Sequence, residues 1–313
     1  MVARWWKRTR RPDSPGRTFS ATDALEAGTL EVTHPEGPMT TKLSTPQTAT
    51  RRVVSWNLLP GLLLAASGFL LFGVHWRPGG YLVLAAALVA AVIVNRALAK
   101  DLLLIAAGLG IISLVQINTD ISWDHMIVMG IALGAAVLVP YLTSRFVYRD
   151  HAIRFPVATG QRWTRVEWWY LIAVVVLGWI LLPIYMIPTG VYENWPAASA
   201  PDEIARLFLG TNALGIWDEL FFICTCYTLL RRHFLDWQAN LIQAVLFTSF
   251  LWELGFHSWG PLLIFPFALV QGWIFKQTKS LSYIVSVHLL FDFVLFLVLL
   301  HAHNPEWLAI FLY

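Results

Sequence analysis

The chain of 313 residues is 57% hydrophobic and only 13% charged, with a net charge of +3. Soluble domains carry about 25% charged residues, so the composition excludes an ordinary cytosolic enzyme and points to a polytopic membrane protein. The balance of charge gives no support for nucleic-acid binding, and the 16 Trp agree with a chain that meets membrane interfaces.

Residues 1–52 hold nine Lys/Arg against five Asp/Glu and no apolar run. Rich in Thr, Pro and Gly, they read as a disordered basic cytoplasmic tail. The early Arg cluster is followed by no apolar h-region, so it is not a signal peptide. Arg51 and Arg52 precede an apolar run long enough to span and are read as a topogenic flank. The Met1–Arg8 stretch mixes Trp with basic residues and suits either an anionic inner leaflet or a flexible tail.

A membrane span needs about 20 apolar residues. Nine stretches qualify, at about 54–75, 80–98, 102–118, 125–146, 168–188, 209–230, 238–257, 261–275 and 281–301. Pro261 and Pro266 make the eighth the candidate for a tilted, broken or re-entrant segment. With the N-terminus inside, 20 of the 22 basic residues fall on the tail's side, and only Arg77 and Arg206 fall outside. The outer loops carry Asp120, Asp124, Glu193, Asp202 and Glu203. The positive-inside rule therefore favours nine spans in an all-helical bundle with an outside C-terminus.

The first five spans, 53–190, hold no acidic residue at depth and read as packing helices rich in Gly and Ala. Within 205–303 the pattern changes. Asp218 and Glu219 lie in the sixth span, Glu253 and His257 at the outer end of the seventh, and His288 and Asp292 in the ninth. A carboxylate in apolar surroundings costs several kcal/mol unless paired or wetted, so six ionisable residues in this third of the chain point to a functional site. Glu253 and His257 share a helix face, as do His288 and Asp292, each pair being four residues apart. Adjacent Asp218 and Glu219 diverge by about 100°, which lets one of them face the site. Counted from Asn212, Asp218 lies about 10 Å below the outer surface at 1.5 Å per residue, so the six can converge in the outer half of the membrane. Cys224 and Cys226 diverge by about 200° on a helix and read as small packing residues. His301 and His303 read as interfacial.

Acids beside histidines suit activation of water, stabilisation of an oxyanion, zinc binding or a proton relay. A relay needs acids spread along a path, whereas these form one patch.

Asp218-Glu219-Leu220-Phe221-Phe222, Phe256-His257, Gly272, the Lys279-Ser280-Leu281 turn and His288-x-x-x-Asp292 occur in an order that resembles the CPBP family. These are intramembrane proteases related to the CAAX prenyl endopeptidases and to bacteriocin-processing and immunity proteins. The resemblance covers about 209–300 and implies a peptidase that hydrolyses a peptide bond at or within the membrane. Carried over by position, Asp218 with neighbouring Glu219 becomes the base, His257 its partner, and His288 with Asp292 the oxyanion pair. Four positions depart from the family pattern. Asp218 replaces Glu, Ile223 stands in place of Arg, Asp292 replaces Asn, and Glu253 occupies a Phe position. Glu253 then either compensates as a carboxylate one turn from His257, or the chain is a non-catalytic member that binds a partner. Members are often called metalloproteases, and His257, His288 and Glu219 would be the zinc candidates. The implied partners are a membrane-associated or transmembrane peptide or protein and the lipid bilayer. The implied place is the bacterial plasma membrane. CAAX processing itself is not implied.

Overall fold

The computed structural model describes residues 55–160 and 162–312, which lie within one compact unit, Arg51–Tyr313. The expected basic tail, 1–52, lies outside the described residues. Among those described, the fold is all-helical, with no strand. Nine helical segments follow one another, each overlapping one of the nine apolar stretches. They are α1 Leu58–Gly73, α2 Arg77–Val94, α3 Arg96–Ile112, α4 Trp123–Val147, α5 Arg165–Met186, α6 Pro201–Leu230, α7 Asp236–Glu253, α8 Pro261–Thr278 and α9 Leu281–His303. Five of them, α2, α4, α5, α6 and α9, are long and apolar enough to cross a membrane. The protein is an integral membrane protein on this ground. Large apolar side chains such as Ile93, Ile131 and Trp169 are left exposed on its flanks, where lipid replaces a protein partner.

Local sequence sets the helix ends. Asn95 interrupts the apolar run and its Oδ1 accepts from Ala97 N at 2.9 Å, capping α3. Thr164 and Glu167 form a reciprocal capping box at the start of α5. Ser280 Oγ accepts from Tyr283 N to start α9, directly after Lys279 closes α8 in a left-handed conformation. Pro261 is the first residue of α8, where its missing N–H leaves nothing unsatisfied. The helix then continues through Pro266 to Thr278. A break at the two prolines is therefore not observed.

Helix α6 begins at Pro201, well before the apolar run. Glu203 accepts from the Ser199 and Ala200 backbone N–H groups there and satisfies donors that would otherwise be orphaned. Asp218 consequently lies about 25 Å along this helix at 1.5 Å per residue, further from its N-terminus than a start at Asn212 implies. From Glu219 to Tyr227 the helix widens to π geometry. Thr225 Oγ1 and Thr228 Oγ1 each donate to the carbonyl five residues back, at 2.9 and 3.2 Å, and occupy acceptors that the wide turn exposes.

The bundle core is made by α6, α7 and α9 with their neighbours α5 and α8. Trp217 anchors α6 to α4, its Nε1 donating to the Leu133 carbonyl at 2.7 Å. Trp217, Phe221, Phe222 and Phe250 form a buried aromatic wall between α6 and α7. Cys224 and Cys226 are free and buried on α6, as packing residues would be. Between α7 and α8 the amides of Asn240 and Gln243 bond the Leu269 and Ala268 carbonyls at 2.8 and 3.0 Å. A Cβ at Gly272 would overlap Asn240 Oδ1, so glycine is what lets these helices meet.

The two ends of the bundle differ chemically. At one end Asp101 takes Arg232 Nη1 at 3.0 Å and His233 Nε2 at 2.6 Å, and Arg232 also reaches Asp150 at 2.7 Å. Lys276 and Arg231 share Asp236 nearby. At the other end Asn194 Nδ2 donates to the Gly255 carbonyl at 2.7 Å, Asn304 Nδ2 to Ala198 O at 3.0 Å, and Thr119 to Asn194 O.

Candidate functional site

Four of the six residues singled out in the sequence meet at mid-depth. His288, on α9, has its Nδ1 2.8 Å from Glu219 Oε1 on α6. Its Nε2 lies 3.8 Å from Asp218 Oδ2 and 3.8 Å from Asp292 Oδ1. All four residues are buried. Adjacent Asp218 and Glu219 both serve the site, contrary to the expectation that one would face it. They do so because the two nitrogens of one imidazole point in different directions, Nδ1 towards Glu219 and Nε2 towards Asp218 and Asp292.

A fifth side chain was missed in the sequence. Gln271, on α8, donates through Nε2 to Glu219 Oε1 at 2.6 Å and to the Ile284 carbonyl at 3.2 Å. Two acceptors on the same atom fix the orientation of the amide. The signal was available as a polar residue beside Gly272 in an otherwise apolar helix, but an amide carries no charge to draw attention. Glycine matters here as well. A Cβ at Gly215 would overlap Asp292 Oδ2, so the acid seats itself against the bare backbone of α6.

Several polar atoms of this cluster have no hydrogen-bond partner: Asp218 Oδ1, Glu219 Oε2, Asp292 Oδ2 and Gln271 Oε1. Native proteins leave few such atoms buried. Asp218, His288 and Asp292 also line a cavity of about 290 Å³ whose other walls are mostly apolar, among them Leu182, Phe256 and Phe291. The arrangement is a polar floor under an apolar chamber, which is how sites that fix one reacting group usually look.

Glu253 and His257 are not brought to this cluster. Glu253 is the last residue of α7, within electrostatic reach of Arg77 at the start of α2. Gly255, at φ 118°, turns the chain sharply after α7. His257 therefore sits in the loop, its ring 4.9 Å from that of Trp252 and its Nδ1 3.4 Å from Asn194 Nδ2. Its carbonyl accepts from Tyr185 Oη at 2.7 Å. On α7 the side chain that approaches His288 is Phe247, with ring centroids 6.1 Å apart. The depth of Asp218 on α6 explains the separation, because α7 has already reached its terminus where the loop carries His257.

Among the described residues, no group of three or more His, Cys, Asp or Glu side chains is arranged to hold a metal ion. The zinc set suggested by the sequence, His257, His288 and Glu219, does not fit. His257 lies in the loop, and His288 Nδ1 and Glu219 Oε1 are committed to each other.

Residues 200–294 match the family model described as type II CAAX prenyl endopeptidase Rce1-like. Over these residues the chain is similar to the CAAX-protease-like family. The matched stretch runs from the start of α6 into α9 and contains Asp218, Glu219, Gln271, His288 and Asp292. Helices α1–α5 precede the CAAX-protease-like region. Comparison with curated proteins gave no match, and comparison with solved structures gave none.

Proposed function

We propose that this protein is an intramembrane peptidase of the CAAX-protease-like class, and that the Glu219–His288 pair activates the attacking water. The observation that carries the reading is the 2.8 Å bond from His288 Nδ1 to Glu219 Oε1, within the region matched by the family model. A carboxylate that accepts from Nδ1–H holds the imidazole in the tautomer whose Nε2 carries the lone pair. Here Nε2 points towards Asp218 and Asp292 on the cavity floor.

In this reading a water bound at Nε2 attacks the peptide carbonyl carbon and gives one proton to His288. Asp218 accepts the hydrogen bond from the water's second O–H and orients it. As the C–N bond breaks, His288 returns the proton to the leaving nitrogen, yielding a carboxyl product and an amine. This divides the work differently from the positional carry-over. Glu219 orients His288 rather than joining Asp218 as the base, and His257 has no part in proton transfer.

A second reading, a binding member without hydrolysis, draws on two observations. Ile223 is buried in the π segment at the family's Arg position, and Phe247 occupies the side of His288 that α7 presents. The two readings separate on His288→Ala at wild-type abundance. A peptidase loses its product termini, whereas a binder has no such termini to lose.

A further inference from the structure

Taking the peptidase reading as its premise, we infer that the site receives its peptide sideways from the outer half of the membrane, on the face opposite the basic loops. The substrate class would then be an extended, apolar peptide segment at the outer end of a membrane-spanning or membrane-attached protein, not a cytoplasmic tail.

Three observations lead there. First, charge orients the bundle. Arg96, Lys100, Arg145, Arg149, Arg154, Arg162, Arg165, Arg231, Arg232, Lys276 and Lys279 all lie at the end where Asp101, Asp150 and Asp236 collect ion pairs. The opposite end has Arg77 and Arg206 with several acids, and basic ends face the cytoplasm. Second, the cluster is closed on the basic side. Gln271, Ile284 and Tyr283 are buried there, Tyr283 Oη donates to the Glu167 carbonyl at 2.9 Å, and Trp163 packs edge-on against Tyr283. The loop before α5 is tied down as well, Leu281 N donating to Pro156 O at 3.0 Å. Third, the cavity extends the other way, to Leu254 at the end of α7 and to Phe256 and Trp195 beyond it. Trp195 and Phe256 pack edge to face at 4.8 Å and roof that end. The lining residues left exposed are Leu177 and Leu181 on α5 and Leu262, Pro266 and Val270 on α8. They place the mouth between these two helices, towards lipid.

The chemistry of the walls suits such a segment. An apolar chain can leave lipid for the chamber without losing water contacts, while its backbone meets the acids and the imidazole at the floor.

Two variants, each with one added cysteine, test the placement, since native Cys224 and Cys226 are buried. Ala197→Cys marks the rim beside Trp195, and Arg154→Cys marks the basic end, both at exposed positions. Intact cells and inverted membrane vesicles are treated with a membrane-impermeant maleimide. The inference expects Ala197→Cys to label only in cells and Arg154→Cys only in vesicles. The opposite pattern, or labelling of Ala197→Cys from neither side, overturns it. Mapping of product termini then locates the cut. Termini on the outer side of their parent proteins support the inference, and termini on the cytoplasmic side overturn it while leaving the peptidase reading intact. If no terminus depends on the protein, the peptidase reading fails and takes this substrate class with it, whatever the labelling shows.

Discussion

Glu219 Oε1 lies 2.8 Å from His288 Nδ1, and the two residues, 69 positions apart in the chain, are both buried. This bond ties α6 to α9 at the middle of the bundle and leaves one imidazole nitrogen directed at two further acids. A carboxylate and an imidazole away from water are worth more to each other than at a surface, and each is costly if left alone.

Removal of His288 is expected to abolish hydrolysis. General acid–base groups contribute about 10²–10⁴-fold, and His288→Ala removes the only imidazole in the cluster. Glu219→Gln keeps the shape of the partner but offers an amide, so loss of the correct tautomer is expected to cost about a hundredfold or more. Rates of product-terminus formation at matched protein abundance check both.

His257→Ala is expected to retain activity within about tenfold, a change of up to about 1.4 kcal/mol in the barrier. Its ring contacts Trp252 and Asn194 at the loop rather than the acids. Positional carry-over from the family motif expects loss on the scale of His288→Ala. The same assay separates the two expectations, and a loss of that size would restore His257 to the machinery.

Gln271→Leu removes one donor from Glu219 Oε1 and the bond to the Ile284 carbonyl. Leaving buried acceptors without a partner costs about 1–3 kcal/mol, so the thermal midpoint of the solubilised protein is expected to fall. Activity is expected to fall less than in His288→Ala, because the Glu219–His288 bond remains.

Gly272→Ala is expected to destabilise through overlap with Asn240. Overpacking of this kind costs about 1–3 kcal/mol, which exceeds the gain of about 1 kcal/mol that Ala brings to a helix interior. Gly272→Ala combined with Asn240→Ala relieves the overlap, and the double variant is expected to melt above the single one.

Low pH is expected to loosen the basic end. The Asp150 carboxyl lies below the ordinary aspartate range. Burial pushes it up, but hydrogen bonds from Ser144, Arg232 and the Ala152 backbone outweigh that and bring it down. A depressed folded-state value means that the stabilisation is present above the unfolded value of about 3.9 and is lost as pH falls through the folded one. Melting curves across the acid range should show this loss in the wild type and a smaller one in Asp150→Asn.

Much of this was legible because membrane helices betray themselves by composition. The nine apolar stretches correspond in order to nine helical segments, and Asp218, Glu219, His288 and Asp292 stand out because charge at depth is costly. What was not legible depended on where helices begin and end. Glu203 and Pro201 extend α6 outward through polar sequence, which carries no hydropathy signal, so the helix starts earlier than Asn212. The turn at Gly255 removed His257 from the helix face that its spacing from Glu253 implied. Gln271 was passed over because hydropathy reading weighs charge above amides. The π geometry from Glu219 to Tyr227 leaves no periodic trace that a short apolar run could reveal.

The central claim is that His288 and Glu219 make this protein a peptidase. The most direct measurement compares protein N-termini in membranes and medium from the native host, a deletion strain, and deletions complemented with wild type, His288→Ala, Glu219→Gln or His257→Ala, all at equal abundance. The account predicts termini that vanish in the deletion and return with wild type and His257→Ala, but not with His288→Ala or Glu219→Gln. Termini that are identical in every strain, or that return with His288→Ala, would contradict it.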